Sequence, residues 1–193
     1  AAAPTFPTGA VIRTILKDYA PEDLASGATL FHEHMSFPPD FLPRFMKYSA
    51  QTAAANRPLN AAPPPAPPTP PPSAGTFFMQ DLDLMAEELA IAKREGIACI
   101  VDGGHPDMGR DINFLRQLSA KSELPIVAGA GLYNEPFYPP EIARMSEDQV
   151  LASLMKQVET DPSGAFGEIG SWDYITKVER KVFRVTLKLA GYL

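Results

Sequence analysis

The sequence predicts an α/β fold built on a parallel sheet. Three observations carry that prediction. Short apolar runs of strand length alternate with amphipathic runs at helical spacing, the alternation recurs four times along the chain, and the later helical runs open on capping signatures. Strands in that order are joined by right-handed crossovers. Two architectures accommodate them: an open doubly wound sheet, or part of a (β/α)8 barrel. In both, functional side chains gather at the C-terminal ends of the strands.

The first unit opens with the apolar run Ala28-Thr29-Leu30-Phe31, which ends in His32-Glu33-His34. Residues i and i+2 of a strand share a face, so His32 and His34 would project two imidazoles into one space with Glu33 turned away. Imidazole is the commonest protein ligand for zinc-like metals. Two ordinary polar residues after a strand would read the same from the pair alone. Residues 58–72 then hold nine of the 21 prolines, interleaved with Ala and Thr. Proline lacks the N–H that helix and sheet need. The stretch at about 50–75 therefore reads as an extended surface insert, a semi-rigid loop in preference to a ligand for a proline-binding module.

Leu82, Met85, Leu89 and Ala92 predict a helix over 79–94; Gly96 ends it and Ile97–Val101 forms the next strand. Cys99, the only cysteine, falls in that strand and reads as a small core residue. Asp111–Ala120 follows as a helix with Ile112, Leu115 and Leu118 inward. Asp111 suits its positive end, and Arg110 reads as structural. Pro125 opens the strand Ile126–Ala128. Ser146 with Gln149 makes a capping box for a helix carrying Leu151, Leu154, Met155 and Val158. Ala165–Ile169 is the fourth strand. Thr176 with Glu179 caps the last helix, lined by Val178, Val182, Val185 and Leu189.

Composition narrows the function. The 193 residues are 45% hydrophobic and 21% charged, enough for one sizeable core or two small domains. A net charge of −6 without any Lys/Arg run argues against nucleic acid and anionic membrane as partners. No apolar run approaches the roughly 18–20 residues of a membrane span. Ala1-Ala2-Ala3-Pro4 resembles the product of signal-peptide removal, compatible with a periplasmic or secreted protein. A trimmed cytoplasmic protein would look the same, so localisation stays open.

Candidate chemistry collects at the strand ends. Glu168 lies in Gly167-Glu168-Ile169-Gly170, where an unpaired buried carboxylate would cost several kcal/mol. A metal ion or a cation such as Arg110 would satisfy it. Asp102 and His105 follow the second strand; either could be a metal ligand, but without a defined spacing to the His pair they read first as supporting or substrate-contact groups. Tyr133 follows the third strand, where its phenol could orient water or line a pocket, or pack as an ordinary loop tyrosine. Trp172 and Tyr174 could wall a pocket. The chain has no G-x-S-x-G elbow, no Walker-type loop and no G-x-G-x-x-G after the first strand. A two-carboxylate glycosidase pair would leave the His pair unexplained.

The stretch Gly27-Ala28-Thr29-Leu30-Phe31-His32-Glu33-His34-Met35 resembles the G-x-x-L-x-H-E-H signature of the phosphotriesterase family, within the amidohydrolase superfamily. The resemblance continues through Ile100-Val101-Asp102, Gly109-Arg110-Asp111, Ile126 to Tyr133, and Gly167-Glu168-Ile169-Gly170. It implies a (β/α)8 TIM-barrel fold with two divalent metal ions, zinc in the first instance, at the C-terminal face. His32 and His34 would bind the more buried metal. Glu168 would bridge both, in the place where many members carry a carboxylated lysine. A metal-bridging hydroxide would be the nucleophile. Tyr133 would take the catalytic position where lactonase-like members place a tyrosine over the metals, and Tyr138 also matches those members. The implied substrates are small lactones, carboxylic esters or organophosphate triesters.

The family's remaining ligands are a His after strand five, a His after strand six and an Asp after strand eight. This chain holds only His32, His34 and His105. A complete barrel typically needs about 250 residues. The expectation is therefore a single N-terminal part of such a domain over 1–193, with only the first four βα units. The alternative expectation is a non-catalytic half-barrel that binds metal weakly or needs a partner. An open sheet edge favours association, a homodimer included.

Overall fold

The computed structural model describes residues 4–55, 77–172 and 174–192. The elements run β1 (Ile12–Arg13), β2 (Asp18–Tyr19), α1 (Pro21–Leu24), β3 (Ala28–Glu33), α2 (Phe41–Ala55), α3 (Leu82–Arg94), β4 (Ile97–Asp102), α4 (Ile112–Ser122), β5 (Ile126–Ala130), α5 (Glu147–Thr160), β6 (Ala165–Phe166) and α6 (Lys177–Ala190). Strands β3 to β6 form one sheet in chain order, every pairing parallel. Sequential order without a reversal is the winding of a barrel; a doubly wound sheet would carry a switch point. The fold is thus the partial TIM-barrel kind, a four-strand half-barrel with its helices.

Side-chain alternation sorts the core into layers. Ile100 of β4 with Ile126 and Ala128 of β5 meet Met85 and Leu89 of α3 and Leu115 and Leu118 of α4. On the other face, Cys99 and Val127 pack with Leu24 and with Ile12 and Tyr19 of the small β1–β2 ribbon. Cys99 is buried and free, the core role its strand position predicts. Helices α5 and α6 pack together through Val150, Leu154, Val182, Val185 and Leu189.

Most elements form for the reasons the sequence supplies. Asp81 caps α3, accepting from the N–H groups of Asp83 and Leu84, so the helix starts at 82 and residues 78–80 form a 3-10 turn. Asp111 caps α4 in the same way. Both capping boxes are made, at Ser146 with Gln149 and at Thr176 with Glu179.

Three differences bear on the site. Strand β3 runs on to Glu33, with a register shift between Leu30 and Glu33. Strand β6 stops at Phe166, because Gly167 adopts φ 140° and takes the chain out of strand geometry. Helix α2 was not predicted. Pro43 falls in its first turn, where a missing N–H is tolerated, and the alanines at its end favour helix. Residues 50–55, assigned from sequence to the Pro-rich insert, are its last turns; the proline tract 58–72 lies outside the described residues.

Candidate metal centre at the C-terminal edge of the sheet

The ends of β3, β4 and β6 are tied together by backbone. Gly103 N–H donates to the Glu33 carbonyl at 2.8 Å, and the Gly103 carbonyl accepts from Glu168 N–H at 3.2 Å. This places His32, His34 and Glu168 around one glycine. A Cβ at position 103 would meet His32 Cδ2 at 3.3 Å, His34 Cε1 at 3.4 Å and Glu168 Cβ at 3.6 Å. Only a residue without a side chain leaves that floor free.

Three donors converge above it. Glu168 Oε2 lies 3.0 Å from His32 Nε2 and 3.2 Å from His34 Nε2, and one ligand atom from each residue falls within 4.8 Å of the others. Glu33 takes no part in the cluster. The imidazole of His34, followed by that of His32, holds the Glu168 carboxyl below its ordinary range, against the opposing effect of partial burial. Two imidazole nitrogens and a carboxylate oxygen form an N/N/O donor set suited to zinc-like ions, which such ligands hold at about 2.0–2.2 Å. The residues present therefore fit a divalent cation. The pairing of Glu168 with Arg110, open from sequence, does not occur.

Arg110 has other partners. Its Nη1 donates to the carbonyls of Gly104, at 3.2 Å, and Gly129, and its Nη2 donates to Asp161 Oδ2 at 3.1 Å. Asp102 is fully buried and accepts from Met35 N–H at 2.7 Å and Gly104 N–H at 2.8 Å. It thereby fastens the residue after His34 to the end of β4. Burial raises its pKa, offset in part by those two N–H donors.

His105 is also fully buried, outside the three-donor cluster, and neither ring nitrogen has a well-aligned hydrogen bond; the Gly167 backbone is the polar group that approaches it. Its Nδ1 stands 3.8 Å from Asp107 Oδ1. Burial lowers the His105 pKa to about 4 and raises that of Asp107 to about 6. Asp107 Oδ2 accepts from Tyr133 N–H at 2.8 Å.

Tyr133 is not among the converging donors. It is buried in an aromatic cluster with Phe41, Met108 and Phe137, bordered by Phe37, Phe45, Tyr48 and Trp172. Burial, then the Glu168 charge, raises its phenol pKa. Tyr138 packs apart from it, against α5 and α6. Trp172 and Tyr174 do line a cleft, of about 290 Å³, shared with Thr52, Glu135 and Glu179. Sequence reasoning missed the aromatic wall from α2. The spacing Phe41, Phe45 and Tyr48 is its signal, one side chain per helical turn, with Phe37 in the loop just ahead of the helix.

A half-barrel sheet with a histidine–carboxylate cluster at its C-terminal edge defines the TIM-barrel class of α/β proteins whose sites lie on that face. The phosphotriesterase family model matches residues 13–190, and the chain belongs to that family. It is 31% identical over 185 residues to an N-acetyltaurine hydrolase from Tetraodon nigroviridis, covering 91% of this chain and 52% of the relative. A namesake from Rattus norvegicus is 28% identical, with 91% and 52% covered. Among solved structures, a resiniferatoxin-binding protein from Rhodobacter sphaeroides superposes with a TM-score of 0.66 at 25% identity, over 94% of this chain and 52% of that one. The phosphotriesterase homology protein of Escherichia coli, complexed with phosphate in its active site, shares the fold with a TM-score of 0.61 at 18% identity, over 86% and 50%. The chain spans about half the length of the curated relatives it matches.

Proposed function

We propose that this chain carries the metal-binding part of a hydrolase acting on small acyl compounds. The convergence of His32 Nε2, His34 Nε2 and Glu168 Oε2 is the observation that supports it. His32, His34 and Glu168 would hold a divalent ion, zinc being the ion the donor set suits best. Bound there, such an ion supplies an acidified water and a polarised carbonyl or phosphoryl oxygen. A two-metal centre would draw on Glu168 for its second ion. Asp102 and Gly103 keep the ligands in register, and the aromatic wall beside His34 shields one side of the site from water. Tyr133 lines that wall, where it would meet bound substrate. The relatives' name favours an N-acyl amide such as N-acetyltaurine as substrate; lactones, carboxylic esters and phosphotriesters remain in the family's range.

A second reading rests on the donor count. The third histidine of the chain, His105, is buried outside the cluster, which leaves three donors among the described residues. On that reading the chain binds metal without turnover and acts only with a partner, a second copy included.

Glu168→Gln tests both. Metal content is measured after dialysis, alongside hydrolysis of N-acetyltaurine, a γ-lactone and a phosphotriester. Loss of metal and turnover together in the variant supports the hydrolase. Metal retained by the wild type without turnover of any substrate supports the second reading. A variant with wild-type metal content removes Glu168 from the site and overturns both.

A further inference from the structure

A histidine that ligates metal through Nε2 carries its proton on Nδ1, and that N–H is normally fixed by a carboxylate or carbonyl. His34 lacks this. Its Nδ1 is buried and has no hydrogen-bond partner. What the ring does have is an aromatic neighbour. Phe37 lies against it with ring centroids 4.6 Å apart and planes inclined by 26°, and Phe41 stacks behind Phe37 at 3.9 Å and 4°. On another side, the His32 ring meets His34 edge-on at 5.5 Å.

Phe37 is itself held in place. Its loop is fastened at the residues on both sides: Met35 N–H to Asp102, Ser36 Oγ accepting from Asp111 N–H at 3.2 Å, and Pro38 against Gly109. A Cβ at Gly109 would sit 2.6 Å from Pro38 Cγ, so the loop is seated closely there. Phe41, 4% exposed, closes the far face of the Phe37 ring.

We infer that Phe37 is the positioning residue for His34: ring stacking sets the orientation of this imidazole where a hydrogen bond to Nδ1 ordinarily would. The inference rests on the reading of His34 as a metal ligand. An imidazole free to rotate about χ2 loses the aim of Nε2 at Glu168, and the loss appears as weakened metal binding. Stacking constrains the plane of the ring through its whole face, so a flat aromatic substitute preserves the function and a branched aliphatic side chain of similar volume does not.

The test uses Co(II) as probe in competition with a chelator, with the ring-current shift of the His34 carbon-bound protons read by NMR in metal-free protein. Phe37→Leu is expected to bind Co(II) about tenfold more weakly, in the range seen when other supports of a ligand are removed. It also loses the upfield shift. Phe37→Tyr is expected to restore both. Leu154→Ala removes a buried side chain from the separate α5–α6 core; it is expected to lower stability and keep Co(II) affinity, which separates positioning from general loosening. Equal Co(II) affinity in the wild type and Phe37→Leu overturns the inference and leaves the metal reading intact. Absence of Co(II) binding by the wild type overturns the metal reading, and this inference with it.

Discussion

His105 is the residue whose surroundings and chemistry disagree most. It is enclosed with no well-aligned hydrogen bond to either nitrogen, and burial, outweighing the approach of the Gly167 backbone, depresses its pKa to about 4. In an unfolded chain it titrates near 6.5. Its neutral form is therefore favoured in the folded state. The contribution to stability is complete above about pH 6.5 and is lost as pH falls through about 4, to a total of about 3 kcal/mol. Asp107, raised to about 6, runs the opposite way: stability present below about 4 is lost as pH rises through about 6. The variant His105→Gln isolates the first effect. Denaturant unfolding from pH 7 to pH 4 is expected to show the wild type losing ground steadily to the variant. A constant difference across that range would show that His105 does not have to charge inside the fold.

Among the elements, α6 gives the sharpest case of a helix set by its first residues. Thr176 Oγ1 accepts from Glu179 N–H at 3.1 Å, and Glu179 Oε2 accepts from Thr176 N–H at 3.0 Å. Glu179 also takes Glu135 N–H at 3.3 Å, joining α6 to the loop after β5. Thr176→Ala is expected to cost about 1 kcal/mol in thermal or denaturant unfolding; an unchanged midpoint would mean the cap contributes nothing. This helix, like α3, α4 and α5, was legible because its cap and its apolar positions are local facts of the sequence. Helix α2 was not, since a proline in its first turn and a proline tract beyond it read as breakers. The sequence predicts five residues for β6 because Ile169 continues the apolar pattern past Gly167, and only the backbone angle at Gly167 shows the strand ending. The site divides in the same way. His32, His34 and Glu168 were legible as residue types at strand ends, and their meeting over Gly103 follows from parallel pairing of β3 through β6. The stack of Phe37 on His34 was not, because it depends on a loop whose fixing points, Asp102, Asp111 and Gly109, come from other units.

At the scale of the molecule, β3 and β6 are the sheet's outer strands among the described residues. Phe31 on β3 is 80% exposed. An outer strand offers unpaired backbone groups, and a large exposed apolar side chain beside them invites contact with another chain. The chain is expected to self-associate as concentration rises, and Phe31→Glu is expected to shift that association to higher concentration. Sedimentation velocity over a concentration series reads the difference. Identical behaviour of the two proteins would remove Phe31 and its strand from any such contact. The β4 and β5 interior, sealed between α3 and α4 and the β1–β2 ribbon, is the part least sensitive to this change.

Arg110 reaches the carbonyl after β4, the carbonyl at the end of β5 and the carboxylate ahead of β6 with one guanidinium. The turn from β4 to α4, the end of β5 and the turn from α5 to β6 thus share a single hub. The turns cannot be exchanged one at a time: a graft that replaces the segment around Gly104, Gly129 or Asp161 must reproduce its acceptor or strand a charge inside the protein. Trp172, Tyr174 and the end of α2, which meet at the cleft, lie outside the segments tied by that hub and escape the constraint. The inner ring of this fold is therefore altered only as a block, and single changes are borne more easily at the rim.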